Sequence, residues 1–265
     1  MKKKSEFIQF AKKKIIGSIC FFSLVLAVIA IAARRIPQTI SVSSSVNGRE
    51  LPIYCVDTKE KKVALSFDAA WGNEDTKKIL KILKKNKIHV TFFMTGGWVN
   101  TFPEDVKAIA KAGHDIGNHS QNHKNMSQLS DKEFRQELME VHESVKKITG
   151  KEMTLFRPPY GDYDNHVVTG AKECGYYTIQ WDVDSLDWKD YGVEAIIKTV
   201  CEHQHLGNGS IILMHNGASY TAGALQAVID GLKKEGYEIV PISELIIKDN
   251  YHMNTEGRQI PDANN

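Results

Sequence analysis

From Val63 onward the chain alternates short apolar runs with amphipathic ones, and this alternation restricts it to an α/β fold. Val63 to Phe67 and Val90 to Met94 have strand character. Between them, Thr76 to Asn86 carries Ile79, Leu80, Ile82 and Leu83 on one helical side. Pro103 to Ala112 reads as a helix with proline at its start, and Ser130 with Glu133 is a capping-box signature for a helix ending near Gly150. Strands at Leu155 to Arg157, Tyr177 to Trp181, Ser210 to Met214 and Glu238 to Val240 then alternate with helices at His166 to Cys174, Val193 to Glu202 and Ala222 to Glu235. Six or seven such units predict a parallel sheet, open or closed into a barrel. No period of 20–50 residues repeats along the chain.

Upstream, Ile15 to Ala33 is a run of 19 uncharged residues. At about 1.5 Å per residue it reaches across most of a ~30 Å hydrocarbon core. Six lysines precede it and two arginines follow, so the positive-inside rule keeps the N-terminus cytoplasmic and predicts export of the remainder. Small residues at Ala30, Ala32 and Ala33 leave a cleaved signal peptide as the alternative, although such apolar cores usually span about 7–15 residues. The expected organisation is a basic cytoplasmic start (1–14), a transmembrane anchor (15–33), a linker (34–60), the main domain (61–248) and a structureless polar tail (249–265). The domain would then stand outside the cell, held to the membrane by a single span.

Charge and cysteine usage narrow the function. Eight of the 34 Lys and Arg lie before Ile36, so the body carries more acids than bases, which argues against a nucleic-acid partner. The four cysteines (Cys20, Cys55, Cys174, Cys201) are too few for a disulfide-built scaffold, and no CxxC spacing suggests a zinc or redox site. Free thiols are expected.

In parallel β/α folds, sites form beyond the carboxyl ends of the strands. The residues there are Asp68, then His119 and His123, then Arg157 with Pro158, Pro159, Tyr160 and Gly161. Asp182, Asp184, Asp187 and Trp188 follow, and His215 closes the set. Three histidines, several carboxylates and an arginine on one rim suit metal-assisted hydrolysis. Each member also has a plainer reading: a helix cap for Asp68, polar loop residues for the His119/His123 pair, a surface turn for Arg157, a satisfied core histidine for His215. Trp71 and Trp98 could line a site on this rim or close the barrel top. His203 and His205 read as a solvated turn, and His89 and His114 as surface residues at element ends.

The order of these motifs resembles the carbohydrate esterase family 4 polysaccharide deacetylases, the NodB homology domain. The resemblance rests on Ser66-Phe67-Asp68, His119-Ser120-Gln121-Asn122-His123, Arg157-Pro158-Pro159-Tyr160-Gly161, Asp184-Ser185-Leu186-Asp187-Trp188 and Leu213-Met214-His215. The stretch from Ser66 to Asn73 also looks like the membrane-anchored sporulation-type branch. The resemblance implies a distorted (β/α)7-type barrel. It implies a divalent metal, zinc foremost, on His119 and His123, with Asp68 as general base held by Arg157 and His215 as general acid paired with Asp187. Tyr160 would stabilise the oxyanion through its backbone N–H, and Trp188 and Leu213 would shape the acetyl pocket. The implied substrate is an N-acetylated cell-wall glycan, peptidoglycan or spore cortex, acted on by a monomer. O-acetyl ester hydrolysis and glycan binding with weakened catalysis are the alternatives.

One position departs from the family pattern. The second of two adjacent aspartates, which completes a His-His-Asp metal site, is Ala69 here. A methyl group cannot ligate. The sequence leaves three outcomes: weak metal binding with extra water, a substitute ligand from Asn73, Glu74 or Asp75, or no metal and little activity.

Overall fold

A strand that is apolar on both faces needs cover on both sides. The structure, a computed structural model describing residues 42–43 and 45–262, provides it for β1 (Lys62–Ala69). Val63, Leu65, Phe67 and Ala69 belong to the large apolar cluster between sheet and helices, whereas Ala64 belongs to an inner cluster with Phe93, Leu155, Ile179, Ile211 and Val240. Ser66 and Asp68 share the parity of Ala64 and therefore turn to the inner side.

The parallel sheet runs in the order β6 (Val183–Asp184), β7 (Ile211–Asn216), β1, β2 (Thr91–Met94), β3 (Asp115–Asn118), β4 (Leu155–Phe156) and β5 (Tyr177–Thr178). β8 (Glu238–Val240) pairs with the first residues of β1. Six helices cover the sheet: α1 (Thr76–Asn86), α2 (Pro103–Lys111), α3 (Asp131–Thr149), α4 (Asn165–Glu173), α5 (Val193–Cys201) and α6 (Thr221–Lys234). The expected capping box opens α3: the Ser130 side chain accepts from the Glu133 N–H while Glu133 reaches back to the Ser130 N–H. The helix stops at Gly150, whose φ of 72° is left-handed.

The expected seven-stranded barrel is a half-barrel instead. Among the described residues no ladder joins β5 to β6; a segment expected to be linker fills that seam. The Ile53 N–H donates to the Thr178 carbonyl at 2.8 Å, the Gln180 N–H to the Ile53 carbonyl at 2.7 Å, and the Val56 N–H to the Gly209 carbonyl at 3.0 Å. Ile53 and Val56 are buried. The linker boundary at residue 60 is thus corrected. A two-stranded ribbon also forms at Ser45–Val46 and Arg49–Glu50, and Asn165 binds it through the Glu50 N–H and the Gly48 carbonyl.

The tail is the second correction. Tyr251–Met253 and Arg258–Pro261 pair as antiparallel strands, and the latter lies parallel to Cys55–Val56. Gln259, fully buried, bonds the Ile247 N–H and carbonyl through its side chain. Strands of three and four residues with polar members give no periodic pattern to read. His114 is a third correction: it is buried, because its Nδ1 accepts the Val90 N–H at the start of β2. The apolar run 15–33 lies outside the described residues, and among those described no helix is long and apolar enough to cross a membrane. Cys55, Cys174 and Cys201 are free thiols, and burial pushes that of Cys55 up to about 12.

Candidate active site

The strand ends deliver the expected residues to one rim. In the β1–β7 register Asp68 lies opposite His215, and Leu213 opposite Ser66. His119 follows β3, its N–H bonded to the Met94 carbonyl, and Arg157 follows β4, bonded likewise to Asn118.

Asp68 and Arg157 form a buried ion pair. One guanidinium nitrogen donates to Asp68 Oδ1 at 2.8 Å, and the other to Ser66 Oγ at 2.8 Å and the Gln180 carbonyl at 3.2 Å. Phe93 lies flat against the same group, 4.2 Å from its ring centroid. Arg157 is fully buried and Asp68 nearly so. Burial alone would raise the Asp68 carboxyl; Arg157, helped by His119 and His215, outweighs it and holds the group below its ordinary range.

His215 stands opposite with its own partner. Its Nδ1 lies 2.7 Å from Asp187 Oδ1, and its backbone N–H donates to Oδ2 at 2.7 Å. Thr221 also donates to Oδ2, so the carboxylate of Asp187 is fully engaged and fully buried. Burial works against charge on His215, but the bond to Asp187, with Asp68 and Asp184 nearby, lifts its pKa above the ordinary value. Trp71 stacks on the imidazole at 5.0 Å between centroids. Its sibling does the structural work: Trp98 is buried and donates from Nε1 to the Gly72 carbonyl.

The histidine pair sits on a tightly wound loop. Ser120 and His123 both have left-handed backbones, φ of 65° and 54°, a strain that side chains stabilise. Asn118 accepts the Ser120 N–H, Ser120 Oγ accepts the His123 N–H, and Glu137 accepts both the backbone and side-chain N–H of Asn122. The rings of His119 and His123 are 4.9 Å apart. His119 Nδ1 lies 2.7 Å from the Arg157 carbonyl, which can only accept, so that nitrogen carries the proton. The Nε2 lone pair then faces Asp68 Oδ2 at 3.5 Å. Burial lowers the pKa of His119, and burial with the neighbouring His119 lowers that of His123 to about 4.

Two neutral imidazoles are half of a metal site. Ala69, fully buried, belongs to the helix-facing cluster. Of the candidate substitutes, Asn73 donates to Asp105, Asp75 accepts the Gly217 N–H through Oδ1 while its buried Oδ2 has no protein partner among the described residues, and Glu74 is exposed. Among the described residues no group of three His, Cys, Asp or Glu could hold an ion. The chain's own residues thus do not fit the three-donor site that the resemblance implies.

Around this centre, Tyr160 (70% exposed) and Trp188 (48%) stand out as an aromatic rim, with Leu213 buried below. Tyr160 has a φ of 60° and packs edge-on to His123 at 4.5 Å. Asp184 accepts the Leu186 N–H and shapes the turn before Asp187. Asp182 lies off the rim, bonding Ser210 and the Ile211 N–H.

Sequence reasoning missed the supports behind the loop. Asn118 donates to the Leu138 carbonyl and to Tyr176 Oη, Tyr176 in turn meets His142 Nδ1, and His142 Nε2 meets Glu152. Glu137 had a readable signal: it occupies an apolar-stripe position of α3 beside Phe134, Leu138 and Val141, where an acid needs a buried partner.

Comparison with known proteins finds relatives of the chain. A family model described as polysaccharide deacetylase matches residues 56–179. The chain is similar to the peptidoglycan-N-acetylmuramic acid deacetylase PdaA of Bacillus subtilis, 37% identical over 74% of this chain and 75% of that protein. It is also similar to a peptidoglycan-N-acetylglucosamine deacetylase of Bacillus cereus, 38% identical over 72% and 91% of the two chains. Among solved structures, BA3943 of Bacillus anthracis, a CE4 family pseudoenzyme, superposes with a TM-score of 0.71 at 34% identity, covering 79% of this chain and 70% of that one. A mutant of BA3943 with restored enzymatic activity superposes equally well at 35% identity over 79% and 72%.

Proposed function

The chain belongs to the polysaccharide deacetylase family, and we propose that it removes N-acetyl groups from cell-wall glycan outside the cell, held to the membrane by residues 15–33. The observation that carries this reading is a complete pair of proton carriers facing one another across the rim. Asp68, kept ionised by Arg157, takes a proton from the attacking water as its oxygen adds to the acetamide carbon. His215 is held charged by Asp187, with Nδ1–H donated to that carboxylate, so Nε2–H is left to protonate the amine as the C–N bond breaks. The products are acetate and the free amino sugar. The Tyr160 N–H, on its left-handed turn beside His123, would meet the oxyanion. Trp71, Tyr160 and Trp188 are exposed aromatic surfaces suited to sugar rings. Peptidoglycan is the favoured polymer because relatives named for both of its sugars match.

A second reading follows from Ala69: a glycan-binding protein with weakened catalysis, as the similarity to a pseudoenzyme supports. Acetate release from peptidoglycan and chito-oligomers, with and without added zinc or cobalt, decides between them. Release that is lost in Asp68→Asn and His215→Ala supports the hydrolase. Glycan retention without release under any metal supports the binder.

A further inference from the structure

The body of the chain carries more acids than bases, yet between Thr76 and His114 stand eight lysines against two acids. All eight are exposed, and among the described residues only Lys107 forms an ion pair, with Glu104. Helix dipoles account for part of this, since Lys84, Lys85 and Lys111 stand in the last turns of α1 and α2. The others lie outside those turns or are more than the dipoles need.

Four of these lysines surround a hollow of about 700 Å³ between the ends of the two helices. Its floor includes Leu80, Ile88 and Ala108; Lys81, Lys84, Lys87 and Lys111 rim it. His89 and His114, which also line it, precede β2 and β3, so the hollow lies at the opposite end of the sheet from Asp68, His119 and His215. The chain enters at that same end. Val42–Ser43 pairs with Tyr251–His252, and Tyr251 lines a depression with Gly175 and Tyr177, where β5 begins. The apolar run ends at Ala33, nine residues before Val42. At no more than ~3.3–3.6 Å per residue, nine residues reach at most roughly 30 Å. On the β1 side of this end Glu60 and Glu244 both reach Lys62, while Glu235 and Glu238 are exposed there.

We infer that the α1–α2 edge is a docking face for an anionic lipid bilayer, which holds the active rim turned away from the membrane and toward the wall. The inference rests on the anchored reading above. A partly apolar hollow ringed by unpaired ammonium groups suits phosphate headgroups over glyceryl and acyl carbons, and a short tether at the same end keeps the face within reach of such a surface.

The test uses the full chain reconstituted in vesicles of phosphatidylcholine alone, or with about one third phosphatidylglycerol. The readout is the rate of lysine acylation, residue by residue, by mass spectrometry. Lys81, Lys84, Lys87 and Lys111 should react at least ~3-fold more slowly in the anionic vesicles and recover near 1 M salt, where the Debye length is about 3 Å. Lys189, beside the opposite rim, should react equally in both. In Lys81→Glu/Lys84→Glu/Lys87→Glu, substitutions at exposed positions, the slowing at Lys111 should vanish. Equal rates at the four lysines in both vesicle types would overturn the inference. So would equal slowing by dissolved polyglycerol phosphate in neutral vesicles, which would make the face a polymer reader. Flotation with neutral vesicles reports the anchor separately. If the chain does not float with them, salt-sensitive flotation with anionic vesicles still supports docking, and its absence refutes it.

Discussion

Replacing Arg157 by Met should be among the most damaging single changes in the domain, for a reason peculiar to Asp68. Arg157 is fully buried and gives Asp68 its guanidinium partner, together with bonds to Ser66 and the Gln180 carbonyl. Met fills much of the space against Phe93, so loss of packing is a minor part of the cost. The major part is a carboxylate left 5% exposed without its cation. Breaking one side of a buried pair costs ~3–5 kcal/mol. At ~2–4 °C per kcal/mol for a domain of this size, the melting midpoint should fall by roughly 10 °C. Asp68→Asn in the same background removes the stranded charge, so the double variant should lose less than the sum of the singles, with a coupling of ~2–3 kcal/mol. The pH dependence fixes the sign. In the wild type the Asp68 pKa is depressed, so its stabilisation is present above the unfolded value near ~3.9 and is lost as pH falls through the lower folded value. In Arg157→Met only the smaller effects of His119 and His215 stand against burial, so the folded pKa rises, and stability is lost as pH climbs above ~4. The gap between the two proteins should therefore widen from acid toward neutral pH and then level off. The assay is denaturant unfolding of all four proteins across that range. Additivity within ~0.5 kcal/mol, or a gap that does not change with pH, would refute the argument.

Other consequences are as direct. Ala69→Asp should lower the melting midpoint in chelator, because it buries a second carboxylate beside Asp68, and should make it rise with zinc by about 3 kcal/mol of linkage at 100-fold over Kd; His119→Ala should cancel that rise. A wild-type chain that already shows the same zinc response would mean that another donor completes the site. Asp187→Asn should move the His215 titration, followed by histidine C–H NMR, down by about one pH unit or more, since it removes the charge that most favours the imidazolium; an unmoved titration removes Asp187 from that role. Ending the chain at Lys248 should destabilise the domain by several kcal/mol, because it strips the partner strand from Cys55–Val56 and the Gln259 clamp from Ile247; unchanged urea midpoints would show those strands to be ornamental.

Legibility in the sequence followed the strength of periodic signals. β1, β2 and β7 are runs of four to eight residues, mostly apolar, and α3 carries both a capping box and a stripe, so each announced itself locally. Of the residues beyond the strand ends, Asp68, His119, Arg157, Asp187 and His215 meet on one rim because parallel topology sends the strand ends there, whereas Asp182 lies off it. Cys55–Val56 and Tyr251–Met253 were illegible: they are short strands specified by what they pair with at a distance. The second layer behind the histidine loop was hidden for the same reason. Nothing near His142 or Tyr176 in sequence says that they support Asn118, forty or more positions away from one of them.

Position 69 stands apart from the supports of the other rim residues. Asp68 is held by Arg157 from β4, and His215 by Asp187 and Thr221 from the far side of the sheet, and neither set uses residue 69. The histidine loop is wound by Asn118, Ser120 and Glu137, again without it. A methyl at 69 joins the apolar cluster beneath the helices, whereas a carboxylate there must be desolvated next to a carboxylate already buried. In the absence of an ion the fold therefore favours alanine, and in its presence the chemistry favours aspartate. Because the three supports are independent, the loss of the ligand leaves the proton carriers, their pKa shifts and the aromatic rim in place. The supports of Asp68, His215 and the histidine loop therefore do not depend on which residue occupies position 69.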